Sequence, residues 1–177
     1  MIHDRMTSLA RWPVVALLLV GFLACQQGFT WRHRQLGDAE TPDARGWYTP
    51  DEIRDVFEAW GAERRSLYAW TEVTLDAVFP PIYGTLFAVL TARLFRVGGR
   101  RWLVVVPLVG AAADLLENIT AAALAWTFDG RASPVTWAAA CFTAVKTACF
   151  VGSLLILLAG GVAGLCGSTD EPDPSRR

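Results

Sequence analysis

Residues 102–126 read WLVVVPLVGAAADLLENITAAALAW, and this stretch decides the fold. At ~1.5 Å per residue, about 25 helical residues are long enough to cross a bilayer core of ~30 Å. A tryptophan closes each end, as expected of rings anchored at the two membrane interfaces. Near the middle stand Asp114, Glu117 and Asn118. Spacings of three and four place all three on one helical face. An ionisable side chain at that depth costs at least ~2.5–3.5 kcal/mol if it meets lipid, so the face must meet protein or a wet cavity.

Working outward, the other apolar residues fall into blocks of similar length. Spans are expected at about 12–30, 70–95, 102–126 and 136–160, and six of the eight tryptophans (Trp12, Trp31, Trp70, Trp102, Trp126 and Trp137) stand at or beside their ends. The predicted fold is all-α: a four-transmembrane-helix bundle in a single integral-membrane domain, residues 1–165, with a short extracytoplasmic amphipathic helix. The tail, 166–177, is rich in proline, serine and charge and is expected to be disordered in the cytoplasm. A net charge of −1 provides no basic field for nucleic acid. The four cysteines show no CxxC spacing, so neither a disulfide framework nor a zinc site is expected.

Residues 1–11, with Arg5 and Arg11, look like a signal-peptide n-region or the inner flank of a first span. The apolar run ends at Cys25; Phe22 and Leu23 before Ala24 suit an uncleaved span better than a lipid-attachment site. Residues 32–48 are polar and read as an extracytoplasmic loop. At Thr49 a helix start is written out. Thr49 is the N-cap, Pro50 takes the first helical position, and Glu52 completes a capping box. Ile53, Val56, Phe57 and Trp60 follow at helical spacing, and Gly61 ends the pattern, giving an amphipathic helix over 49–60. It is expected either as an amphipathic helix lying at the outer interface or capping the bundle, or as an ordinary packed surface helix.

A second helix from about Ala62 carries Arg65, Tyr68, Glu72, Asp76 and Tyr83 as one polar stripe, interrupted at Pro80-Pro81. Arg93, Arg96, Arg100 and Arg101 crowd the next link, which places it in the cytoplasm of a cell with an inner (plasma) membrane, with both termini on the same side. Arg32 and Arg34 argue weakly the other way. The last span opens at Ser133-Pro134 and carries the chain's one lysine, Lys146, beside Thr143 and Thr147. Ala140, Ala144, Ala148 and Gly152 form a small-residue seam on the opposite face, suited to packing within the bundle or to a homo-oligomer.

Counted from the outer ends of the spans at ~1.5 Å per residue, Asp76 lies ~9 Å deep, Glu117 ~13 Å, Lys146 ~15 Å and Asp114 ~18 Å. The expected polar core is therefore Glu72, Asp76, Tyr83, Asp114, Glu117, Asn118, Thr143 and Lys146, with Lys146 as counter-ion of Asp114 and Glu117. Four acids face one lysine, with Arg65 a further candidate from above, so the charges do not balance. Nucleotide-loop, H-E-x-x-H and G-x-S-x-G motifs are absent, His3 and His33 lie outside the membrane, and no cofactor or metal is expected.

The elements D-x-x-F-P-x-x-Y (Asp76, Phe79, Pro80, Tyr83) and D-L-L-E-N (Asp114 to Asn118) resemble those of a set of uncharacterised bacterial multi-pass membrane proteins. The likeness covers roughly residues 48–150 and implies no activity. A fainter similarity, resting on four spans and buried acids, is to the four-helix sterol-isomerase and sigma-2-receptor type; its membrane histidine has no counterpart here. Three functions follow from the residues. The bundle is a scaffold or small-ligand binder built on a buried carboxylate–Lys–Asn network, an ion- or proton-coupled carrier, or a membrane enzyme using Asp114 or Glu117 on a lipophilic substrate.

Overall fold

The computed structural model describes residues 2–37, 41–95 and 99–167. Among these the chain is helical: α1 (Ile2–Leu9), α2 (Trp12–Gln35), α3 (Pro50–Thr71), a π-helical turn (Glu72–Asp76), α4 (Ala77–Leu94), α5 (Val105–Trp126) and α6 (Thr136–Gly167), with 3-10 turns at Pro42–Ala44 and Gly99–Val104. Four helical runs are long and apolar enough to cross a membrane: Trp12–Gln35, Pro50–Leu94, Arg100–Trp126 and Thr136–Ala163.

The start of α3 follows from its first four residues. Thr49 Oγ1 accepts from the Glu52 amide at 3.4 Å, and the Glu52 carboxylate accepts from the Thr49 amide at 2.7 Å. Each side chain thus satisfies a backbone donor that the first helical turn leaves open. Hydrogen bonds from Thr49 hold the Glu52 carboxyl below its ordinary range. This reciprocal closure is therefore present above the ordinary glutamate pKa and lost as pH falls through the lowered value. Replacing Thr49 with alanine is expected to cost ~1 kcal/mol of local helix stability. Hydrogen exchange will show it as faster exchange over residues 53–57 with α5 still protected.

Gly61 breaks the run as its residue type predicts. Its φ of 67° and ψ of 178° lie where side-chain-bearing residues are strained, so the amphipathic segment ends there and the membrane helix begins at a new angle. Ile53, Phe57 and Trp60 turn inward and pack with Leu36, Tyr48, Tyr68, Ala121, Ala125 and Ala139, capping one end of the bundle. Each large apolar side chain buried there contributes roughly 1.5–3 kcal/mol over exposure. Trp60 is accordingly a core residue, whereas Trp12, Trp31, Trp70, Trp102, Trp126 and Trp137 are exposed at the helix ends. Trp70 stacks edge-on against Trp126 at 5.4 Å, and Trp47 lies 6.0 Å from Trp137.

Pro80 and Pro81 lie inside α4 without ending it. The interruption expected there takes the form of the widened π turn just before. A proline ring presses on the carbonyl four residues earlier, and for Pro80 that is Asp76, the last residue of the π turn.

Helices α4 and α5 form the centre. Helix α6 packs along α5 and also touches α4, while α2 packs on α4 and the π turn. Helices α2 and α6 make little direct contact, so a gap separates them. Close approach at the centre is set by two glycines. A Cβ on Gly84 would stand 2.6 Å from the Ala111 Cβ, and one on Gly110 would stand 2.8 Å from the Cys149 Cβ. The small-residue seam of α6 does not play this part: Ala140 is buried, Ala148 is exposed, and a Cβ on Gly152 would meet only Val106 at 3.8 Å. Gly84→Ala should therefore lose ~1–3 kcal/mol through overpacking. Adding Ala111→Gly should return most of it, read as thermal midpoints in detergent.

Three boundaries differ from the sequence reading. Helix α2 continues to Gln35 rather than stopping near Thr30, because Arg32, read as loop, is neutralised inside the bundle. Helix α6 continues to Gly167, taking in the first residues assigned to the tail; residues 168–177 lie outside the described residues, as do Arg96 and Gly98 of the arginine-rich link. Residues 2–9 form a helix instead of a plain flank. His3 Nε2 lies 3.2 Å from the Phe95 carbonyl, and Arg93 donates to the Ala10 carbonyl at 2.8 Å while covering the Trp12 ring.

Candidate functional site: two ion-pair clusters at one cavity

Two charged clusters lie inside the bundle. In the first, Arg32 of α2 donates through Nη1 to Glu72 at 2.9 Å and also to Asp76. The three side chains are at most 12% exposed, and Glu72 is fully buried. The π turn carries both acids of this cluster, so the widened turn of the helix is also the turn that meets Arg32. In the second cluster Lys146 of α6 pairs with Asp114 at 3.3 Å and with Glu117, both on α5. The close approach at Gly110 and Cys149 brings the two backbones near enough for this contact.

Hydroxyls extend the second cluster. Thr143 Oγ1 donates to Glu117 at 2.5 Å and lies 3.2 Å from the Tyr48 hydroxyl, which reaches in from the segment before α3. On the other side Tyr83 lines the same cavity as Asp114. A continuous polar chain thus runs from Tyr48 through Thr143, Glu117 and Lys146 to Asp114.

A cavity of about 220 Å³ joins the clusters. Arg32 and Asp76 border it on one side, Asp114 and Lys146 on the other. Phe29, Phe79, Tyr83 and Phe150 supply an aromatic wall, with successive ring centroids 5.1, 5.0 and 5.3 Å apart. Thr147, exposed on α6, stands at its edge. Since α2 contributes one rim and α6 the other, the cavity occupies the gap between those two helices.

Of the residues expected in the polar core, Asp76, Tyr83, Asp114 and Lys146 line this cavity, Glu72 and Glu117 join it through Arg32 and Lys146, Thr143 is bonded to Glu117, and all seven but Lys146 are buried. Asn118 is buried but outside this arrangement: its amide nitrogen has no hydrogen-bond partner among the described residues, so the expected carboxylate–Lys–Asn network is instead a carboxylate–Lys–Thr network. Its position one residue past Glu117 turns it away from Lys146 by about 100° on the helix. Arg65 does not reach the acids. It donates to the Phe57 carbonyl at 2.9 Å and covers the Phe128 ring, tying the first part of α3 to the α5–α6 turn.

Two participants were not singled out in the sequence. Arg32 stands beside His33 and Arg34 and so reads as loop, although the surplus of acids is a signal that another cation is needed. Tyr48 sits beside the helix cap and carries no periodic signal of its own. No group of three His, Cys, Asp or Glu among the described residues is arranged to hold a metal ion. Comparison with known families, with curated proteins and with solved structures finds no match to this chain. The chain is thus placed by its architecture alone: four membrane-capable helices enclosing buried Arg–carboxylate and Lys–carboxylate clusters.

Proposed function

We propose that this protein binds a small amphipathic ligand drawn from the outer leaflet, in the cavity between α2 and α6. The observation that carries this reading is the cavity itself. It is bordered by two charged clusters, faced with aromatic rings, and set in a gap between two helices instead of inside a sealed core. Ligand sites are typically concave and mostly apolar, with a few polar groups that fix orientation. A cavity of about 220 Å³ exceeds the ~150 Å³ that suffices for benzene.

The same position favours one second reading, a membrane enzyme acting on a lipophilic substrate, with Asp114 giving or taking a proton at the cavity wall. A carrier is less well supported. Toward the other side of the bundle Tyr83, Leu86, Phe87, Val89 and Ala111 pack into an apolar cluster with Val15, which stands where an inner path would run.

The orientation that goes with this function puts both termini in the cytoplasm and Tyr48 outside. In a background lacking the native cysteines, an impermeant thiol reagent applied from outside should label a cysteine at Gly37 and spare one at Gly99. The reverse pattern would invert the topology and move the cavity to the inner leaflet.

The ligand reading is tested by mass spectrometry of the protein released gently from membranes. The unaltered chain should carry a small amphiphile that is absent from Thr147→Trp, in which the indole fills the cavity edge. If both carry the same molecules in the same amounts, the cavity is not the binding site.

A further inference from the structure

We infer that the end of the bundle built by α1 and the 3-10 turn at Gly99–Val104 binds the phosphate of an anionic phospholipid, with Arg101 as the recognising cation and His3 and Thr7 as the floor of the site. This site is separate from the cavity between α2 and α6, and its occupancy does not depend on what that cavity holds.

The hollow at this end is the first support. It has a volume of about 380 Å³ and is lined by His3, Asp4 and Thr7 of α1 and by Arg101 of the turn. Its floor is held from behind. His3 is 9% exposed, and its Nε2 lies 3.2 Å from the Phe95 carbonyl. A carbonyl only accepts, so this nitrogen carries its hydrogen and pins the ring to the end of α4. The Thr7 hydroxyl donates to the His3 carbonyl at 3.0 Å. Arg101 is exposed, and its planar guanidinium matches two oxygens of a phosphate.

Charge is the second support. Helix α1, the end of α4 and the turn pack together. Residues 2–12, 93–95 and 99–104, which form this end, carry Arg5, Arg11, Arg93, Arg100 and Arg101 against a single acid, Asp4. A headgroup with net negative charge is drawn to such a field, while a zwitterionic one brings its own ammonium and gains less. Arginines crowded at one end of a membrane bundle also orient it, and that accounts for the charge. It does not account for a hollow with a pinned polar floor beside one of them.

The level of the hollow names the occupant. Trp12 is 68% exposed and Trp102 62%, and they stand next to Arg11 and Arg101 in the chain. Exposed rings at helix ends mark the headgroup level of a bilayer. Helix α1 also exposes Ile2 and Leu9, apolar side chains suited to the boundary between headgroups and acyl chains. The phosphate that such surroundings present is that of a lipid.

The test titrates the full chain in detergent with dioleoylphosphatidylglycerol, dioleoylphosphatidylcholine or inorganic phosphate, and counts bound lipid by native mass spectrometry. Phosphatidylglycerol should bind more tightly than phosphatidylcholine and should slow hydrogen exchange over residues 2–9. Arg101→Gln should weaken phosphatidylglycerol about fivefold, the share of one arginine at an anionic surface. Arg5→Gln removes the same charge from the same end without touching the hollow, and should weaken it less. Asp4→Asn removes the acid from the lining and should tighten binding. Equal losses for Arg101→Gln and Arg5→Gln would overturn the inference, leaving a diffuse field with no site. Equal binding of the two lipids would overturn it as well, and displacement of phosphatidylglycerol by inorganic phosphate would show a free-anion site instead of a lipid one. If Arg101→Gln fails to fold, unchanged or weaker binding by Asp4→Asn sinks the inference on its own.

Discussion

Replacing Lys146 with methionine is expected to destabilise the protein by about 3–5 kcal/mol, because it strands Asp114 and Glu117 inside the bundle without their cation. Changing Asp114 to Asn or Glu117 to Gln alone should also cost stability, since each leaves a buried donor or charge less well matched. Joining Lys146→Met with either change should cost less than the sum of the two. A partner that has lost its counter-ion gains from being neutralised, and replacing a whole buried pair is often mild. The measurement is a double-mutant cycle on thermal midpoints in detergent. Additive losses for both acids would show that Lys146 is not coupled to α5 and that the close contacts are incidental. Glu117 should couple more strongly than Asp114, because Glu117 is fully buried and also holds Thr143, while Asp114 borders the cavity.

Arg32→Met should be of similar size, about 3–5 kcal/mol, and its consequences should be more local. It leaves Glu72 and Asp76 together on the π turn with no cation between them. Arg32→Met with Glu72→Gln and Asp76→Asn should recover much of the loss. Lysine at position 32 should recover only part, since it can serve both acids as Lys146 does but lacks the guanidinium plane that lies over the Phe29 ring. Hydrogen exchange distinguishes the two clusters. Arg32→Met should loosen α2 and the π turn and leave α5 and α6 protected. An equal rise in all helices would mean that the two clusters unfold as one unit.

Much of this architecture was legible because bilayer thickness and interfacial tryptophans impose their own spacing on a sequence. The Thr49 capping box and the break at Gly61 were legible for a different reason, since each follows from one residue's local chemistry. The pairing of Lys146 with Asp114 and Glu117 could be anticipated from depth alone, because a chain with one lysine and rigid helices leaves few choices. Arg32 was hidden by the same logic that revealed the spans. A charged residue next to His33 and Arg34 reads as the end of a helix, and only tertiary pairing shows that the helix continues past it. Asn118 failed in the opposite sense. Its spacing places it on the buried face, but a 100° turn separates it from its neighbour Glu117, and burial on one face is not the same as contact with one partner. The cavity had no sequence signature at all. It arises because α2 packs against α4 and leaves α6 alone, a choice made by side-chain fit.

That packing choice also bears on how the chain is made. Arg32 finds its acids on the very next membrane helix, 40 and 44 residues later, and Glu117 finds Lys146 on the helix that follows its own. Each cation is therefore supplied within one helical hairpin. During synthesis the α2–α4 hairpin can enter the bilayer with its charges already matched to a partner, before α5 emerges. The α5–α6 hairpin can do the same without waiting for the first. Lateral meeting of the two hairpins then needs no buried charge to change partners, and the seam where they meet through α4 and α5 is lined by Gly84 and Ala111, small residues that let two preassembled halves slide together.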